Sequence, residues 1–407
     1  MLGGTMRNAA AAVAVLALLA VGCGAQKSGG DADDGAGEPR ADGLSWAYER
    51  IDDRDGELID GAARAADDIW ALGSDDVGDG RLARGHLLHF DGKEWAREPM
   101  PVDGDPHRSR LDSLGSAGIR LSTVVKGATS ETRRYALWDG ARWAPVDGGT
   151  EGSAGDAPRG QITDVEVITP DDVWVLQGGG EVTHWDGERW TVTPMPADVV
   201  ALAGSASDDV WAVGSRTTGP GIGGRGREVR QLAAMHYDGS KWSLTRTPAL
   251  RFPDPVPPEP YAELTGIDVA SKTYVRARGG HSYKGYDGEE ARRPEAEAVE
   301  LSWDGSRWKE SEPFPGACAY RHPVARDGDR GFFMNGNRHL TTDGACTRIT
   351  KRRLPEGQGA RPESRQQLWV KKIVTVPGTG RVLGFGAVEV LQSGAAPHKA
   401  VVVSLKR

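Results

Sequence analysis

Residues 205–214 read Ser-Ala-Ser-Asp-Asp-Val-Trp-Ala-Val-Gly, and residues 235–242 read Met-His-Tyr-Asp-Gly-Ser-Lys-Trp. The first piece is an Asp-Asp turn followed by a short apolar strand. The second is a strand, an Asp-Gly turn and a return strand opened by Trp. Asp-Gly between two strand-like runs is a strong hairpin signal, and a type I′ turn with positive φ at both central residues is expected there.

The aromatic-Asp-Gly-x-x-Trp half recurs at Phe90–Trp95, Trp138–Trp143, Trp185–Trp190, Tyr237–Trp242 and Trp303–Trp308. In each copy the aromatic should pair with the Trp across the hairpin. A degraded copy reads Thr342-Asp343-Gly344, with Thr347 in the expected Trp place. The Asp-Asp half recurs at Asp67/Asp68, Asp171/Asp172 and Asp208/Asp209, each pair leading into a strand with a central Trp. Such Asp residues are expected to cap their own turns by bonding nearby backbone amides. Calcium is the rival reading, strongest in the loop Asp75-Asp76-Val77-Gly78-Asp79.

The tryptophans recur at about 50-residue intervals, a propeller-blade period. The expected fold is all-β, a seven-bladed β-propeller of four-stranded blades. The blades span 62–101, 108–148, 161–196, 199–248, 263–314, 319–355 and 367–406. The last offers three strands. The ring then closes when the N-terminal strand 44–51 joins it, with Trp46 in the outer Trp position. Six blades with loosely attached ends is the alternative. The repeat resembles kelch-type repeats of the galactose-oxidase propeller, with a glycine ending the second strand, an aromatic on the third and a Trp on the fourth. It departs from them in often showing one glycine where kelch repeats show two. The Asp-Gly turn is similar in position to the Asp-boxes of sialidases.

The N-terminus is a processing segment. Arg7 precedes the apolar run Ala10–Leu19, and Leu19-Ala20-Val21-Gly22-Cys23 follows. The run is short for a bilayer span. This stretch resembles a bacterial lipobox, with Ala20 where the family usually has Leu. The resemblance implies cleavage before Cys23 and lipid on its thiol, so residues 1–22 are signal peptide and Cys23 anchors the protein to a membrane. An ordinary signal peptide with an incidental cysteine is the alternative. Residues 23–43 form a Gly-, Ala- and Asp-rich tether. The chain thus resembles secreted bacterial lipoproteins, exported, lipid-anchored in the cell membrane and facing the outside. Outside the cytoplasm the remaining cysteines, Cys318 and Cys346, are expected to pair.

Net charge is −8 with 27% charged residues, which argues against nucleic acid as a partner. There is no nucleophile elbow, P-loop or zinc-binding His pair, so neither a cofactor nor a metal is implied and no catalytic residue is named. Function is expected where the repeat is interrupted. Long insertions fall between second and third strands at Ser74–Gly85, Ser215–Arg230 and Gly279–Glu297, and between blades at Asp147–Gly160 and Ala249–Glu263. With strands alternating in direction, all of these leave one face, and the Asp-Gly turns leave the other. Over blades 4 and 5 that face carries Arg225, Arg227, Arg230, Arg251, Tyr261, His281, Tyr283, Lys284 and Tyr286. Arginines and aromatics beside the Pro-rich run ending at Pro260 suit a binding surface. The first reading is a binding or scaffold domain for an extracellular protein or polysaccharide. The rivals are a glycan hydrolase or lyase with its site at the central channel, and a purely structural component.

Overall fold

The computed structural model describes residues 43–75, 84–126, 131–146, 158, 161–220, 228–252, 260–282, 297–319, 321–394 and 397–407. These all lie within one unit, Asp33–Arg407.

Among the described residues every sheet is antiparallel and meandering, apart from one short parallel bridge between Ser45–Trp46 and Thr350–Lys351. Sheet 2 is Arg110–Ser113, Ile119–Lys126, Glu131–Trp138 and Trp143–Val146. Sheet 3 is Ile162–Thr169, Asp172–Gln177, Val182–Trp185 and Trp190–Thr193. Sheet 4 is Asp198–Ala206, Asp209–Pro220, Glu228–Tyr237 and Trp242–Thr245. Sheet 5 is Tyr261–Ser271, Tyr274–Ser282, Glu297–Trp303 and Trp308–Glu310. Sheet 6 is Pro323–Arg326, Gly331–Met334, Arg338–Thr341 and Cys346–Arg348.

The remaining strands form one larger sheet around Ser45–Ala65. Residues 45–55 of that strand pair with His398–Lys406, which continues to Val382–Leu391 and Arg365–Thr375. Residues 56–65 pair with Asp68–Asp75, followed by Arg84–Phe90 and Trp95–Pro99. One strand thus ends the C-terminal group and begins the N-terminal one, so the boundary read at residue 62 falls inside it. The first strands of successive groups lie side by side, and Arg365–Thr375 lies against both Pro323–Arg326 and Ser45–Ala65. This arrangement is consistent with a β-propeller.

The hairpin register places each aromatic opposite its Trp: Phe90 on Trp95, Trp138 on Trp143, Trp185 on Trp190, Tyr237 on Trp242, Trp303 on Trp308. The turn differs from the expected type. Only its glycine has positive φ, between 89° and 96° in these five copies, and the Asp does not. Four residues separate the closing pair. The carboxylate of Asp91 accepts the amides of Lys93 and Glu94 at 2.9 and 3.0 Å, and Asp139, Asp186, Asp238 and Asp304 do the same. The side chain therefore holds the turn from within, which removes the need for a second left-handed residue.

Where the preceding group carries an aromatic on its second strand, the outer Trp packs edge-on against it. Trp143 meets Trp70 at 5.1 Å between ring centroids, Trp242 meets Trp174 at 5.3 Å and Trp308 meets Trp211 at 5.4 Å. Trp95 meets Phe385 of the C-terminal group in the same way at 6.1 Å. Trp46 sits opposite Leu405 and packs 6.4 Å from Phe333, so it occupies the outer Trp place of the C-terminal group. Such pairs add about 0.5–1.5 kcal/mol each beyond burial.

The second Asp of each Asp-Asp pair also differs from expectation. Its partners are side chains. Asp68 accepts the Trp70 indole N–H at 2.9 Å, His89 Nε2 at 3.0 Å and the indole N–H of Trp138 from the next sheet at 2.9 Å. His89 lies stacked on Trp70, 4.1 Å between centroids. Asp209 with His236 and Trp211 repeats the arrangement. Asp172 keeps the bond to His184, which is stacked on Trp174, but the Trp174 indole N–H has no hydrogen-bond partner, and Asp327 keeps the bond to His339 where Phe333 replaces Trp. Asp68, Asp209 and Asp327 are buried and Asp172 is partly buried, and each has its desolvation offset by charge-assisted bonds.

Cys318 and Cys346 form a disulfide, with 5.9 Å between their Cα atoms. The register corrects the sixth copy: His339 opposes Thr347 and Leu340 opposes Cys346, matching His89 on Ala96 and Phe90 on Trp95. Cys346, and not Thr347, stands in the Trp place.

Candidate functional site

The predicted face is assembled from sheets 4 and 5. Residues 215–230 are not simply a loop, because the ladder continues through Ser215–Leu232, Thr217–Arg230 and Pro220–Glu228. Likewise Gly279 pairs with Val299 and His281 with Glu297. Arg230 and His281 are therefore strand residues, held by backbone pairing.

Arg230 reaches across to the next sheet. Its amide donates to Pro260 O at 3.2 Å, its guanidinium approaches Asp198 at 3.1 Å and donates to Ser215 Oγ at 3.2 Å, and it lies 5.8 Å from the Tyr261 ring centre. Ser215 Oγ donates in turn to Glu263 at 3.2 Å. Burial, and then the Glu263 carboxylate, push the Tyr261 hydroxyl up to about 12, so it stays a neutral donor at any physiological pH. Tyr261 sits one residue from Ala262, which opposes His281. His281 Nε2 is 3.5 Å from Glu297, and the Phe252 ring meets the imidazole edge-on at 5.9 Å. Arg251, next to Phe252, is exposed. Gln231 fixes this connection by a pair of bonds with the backbone of Leu250.

The structure thus brings Arg230, Arg251, Tyr261 and His281 to one end of two adjacent sheets. Arg225, Arg227, Tyr283, Lys284, Tyr286 and Cys23 lie outside the described residues, as does the acidic loop beyond Asp75. Asp75 itself is engaged by Arg97, Arg54 and His86. No group of three or more His, Cys, Asp or Glu able to hold a metal occurs among the described residues.

Two features were not read from the sequence. The first is a set of charges on the first strands. Asp60 accepts the amides of Gly61 and Leu111 at 2.9 and 3.0 Å, and Asp164 those of Val165 and Leu202 at 3.0 and 2.9 Å. Each carboxylate therefore ties its own strand to the first strand of the next sheet. Lys372 lies 3.5 Å from Asp60. Nearby Glu166 is pushed up to about 7 by burial, which the charge of Arg326 only partly opposes.

The second is a small cleft, about 60 Å³ in volume, between sheets 5 and 6, lined by Asp268, Arg276, Arg278, Glu300, Phe314 and Arg321 among others. Arg276 pairs with Ser302 as Trp70 pairs with His89, so a cation replaces the repeated aromatic. The sequence signal was available: the copy at Tyr274-Val275-Arg276 has no Trp.

No protein-family model matches the chain. No curated protein matches it either. Among solved structures, YCF48 bound to D1 peptide is 11% identical, with 90% of this chain and 97% of that chain covered and a TM-score of 0.39. Polysaccharide lyase Uly1 is 10% identical over 86% and 89%, with a TM-score of 0.46. Chaetomium thermophilum Sqt1 bound to the N-terminus of ribosomal protein L10 is 11% identical over 86% and 100%, with a TM-score of 0.35. At these scores the functional reading rests on the geometry of this chain.

Proposed function

We propose that this protein is an exported, lipid-anchored seven-bladed propeller of kelch-like type that binds an extracellular protein through the long-loop end of sheets 4 and 5. The ring reading is supported by Ser45–Ala65 serving two groups of strands and by the succession of neighbouring first strands. Anchoring through Cys23 follows from the lipobox-like stretch alone.

One observation carries the binding reading. Arg230, Tyr261, His281, Phe252 and exposed Arg251 come from separate strands and a connection, yet converge on one end of two sheets. Arginine and aromatic side chains on a braced backbone are the composition of interface centres. The test compares capture of envelope proteins by the soluble domain, residues 44–407, with capture by an Arg251→Glu/His281→Ala variant. A band specific to the wild type and lost from a folded variant is expected. Identical capture by both contradicts the assignment.

A glycan-active enzyme is the second reading, favoured by Glu166, whose carboxyl, pushed up to about 7 by burial, is about half protonated at neutral pH and is thereby suited to general-acid work. Depolymerisation of an envelope glycan by the wild type and not by Glu166→Gln would establish it. Absence of turnover by the wild type across an envelope-glycan panel counts against it.

A further inference from the structure

The interface between sheets 5 and 6 departs from the repeated pattern at both of its places. Trp70, Trp174 and Trp211 each meet an outer Trp from the next sheet. Sheet 2 has Arg120 in the first place and keeps Trp190 in the second, whereas here Arg276 stands in the first place and Cys346 in the second. The space that two indoles fill elsewhere is divided between the disulfide, the Phe314 ring and the cleft.

Charge in the cleft is arranged unequally. Three guanidinium groups, Arg276, Arg278 and Arg321, line it against two carboxylates, Asp268 and Glu300. Arg276 is engaged through Nη2: it stacks on Phe314 at 4.2 Å, donates to Ser311 Oγ and Glu312 O, and lies 3.7 Å from Glu300, while its buried Nε has no hydrogen-bond partner. Arg321 donates to Ala317 O and Asn335 O, both at 3.1 Å. Arg278 bonds Asp268 through Nη1, and its side chain is 39% exposed against 14% for Asp268. Arg278 and His322 both line the cleft.

We infer that this cleft is a carboxylate-binding site, in which Arg278 receives an acidic side chain from an extended peptide segment of a protein partner. A planar fork with spare donors suits a carboxylate bidentately. A uronic acid fits less well, because the aromatic face a sugar ring would use is covered by Arg276. The site deepens the protein-binding reading, but at a different place from the Arg230–Tyr261 cluster.

The inference has a pH signature. Burial pushes Asp268 up to about 6, opposed by Arg278 and Arg276 and reinforced by the charge of Glu300. Acidification from pH 7.5 to 5.5 therefore begins to neutralise Asp268 and frees Arg278.

The experiment measures anisotropy of a fluorescent peptide, Gly-Glu-Glu-Gly-Glu-Gly, on the soluble domain, with the Gln-for-Glu peptide as control and oligouronate as competitor. We expect selective binding of the Glu peptide, several-fold tighter at pH 5.5 than at 7.5. Arg278→Gln should weaken it about tenfold. Asp268→Asn should tighten it at pH 7.5 and largely remove the pH difference. The Asn variant keeps the test decisive if the Gln variant does not fold. Equal binding of both peptides, no binding, or preferential binding of oligouronate overturns the inference. Loss of envelope capture by the Arg251→Glu/His281→Ala variant, with Glu-peptide binding intact, separates the two sites.

Discussion

At the residue scale the most informative group is Asp68. Burial alone would raise its carboxyl, but bonds from His89, Arg64 and Trp138 overcome this and hold it at about 2. Its pKa is lowered relative to an unfolded value near 3.8, so its contribution to stability is complete above that value and is lost as pH falls toward 2. Asp68→Asn should cost about 2–4 kcal/mol at pH 7, because it weakens acceptance of two indole donors, an imidazole and a guanidinium. In denaturant titrations between pH 5 and 2, the wild type should lose more stability than the variant. Parallel curves would show that the carboxylate is not stabilised in this way. The Asp-Asp repetition marked these residues as scaffold from the sequence. Their partners were legible only in the His before each aromatic-Asp-Gly, at His89, His184 and His236, a signal that local turn logic passes over.

At the scale of elements, the hairpins were legible because cross-strand pairing of aromatic and Trp is encoded locally, in the six-residue motif. What the sequence did not encode locally was the register of the sixth copy, which tertiary pairing sets. There Cys346 takes the Trp place and is tied to Cys318. Removing the bridge restores unfolded-chain entropy worth about 3 kcal/mol and leaves the Trp-sized place underfilled. Trp308→Phe keeps most of the apolar contact with Trp211. Cys346→Ser should therefore lower the thermal midpoint more than Trp308→Phe does, read by calorimetry under non-reducing conditions. The reverse order would mean that the bridge is incidental to packing. The candidate face follows the same division. Its position was readable from where insertions interrupt the repeat, but the bracing of Arg230 and Tyr261 by Asp198, Ser215 and Glu263 depends on strand pairing within sheet 4 and on the approach of sheet 5, which local sequence does not show.

At the scale of the whole molecule, residues 45–55 pair with His398–Lys406, and Trp46 packs on Phe333. A chain starting at residue 57 should melt well below one starting at 44, and a peptide spanning 43–56 added in trans should recover part of the loss. An unchanged melting temperature would show that the N-terminal strand does not tie the ends together. The two ends of the sheets also differ chemically. One carries the Asp-Gly turns, held by their own carboxylates. The other carries the connection containing Leu250–Phe252, the start of Tyr261–Ser271 and the end of Tyr274–Ser282. Amide hydrogen exchange on the soluble domain, with and without the captured envelope partner, distinguishes them directly. Protection is expected in the segments 250–252, 261–264 and 279–282, with the turns at 91–94, 139–142, 186–189, 238–241 and 304–307 unchanged. Protection confined to those Asp-Gly turns would place the partner on the opposite end and contradict the account.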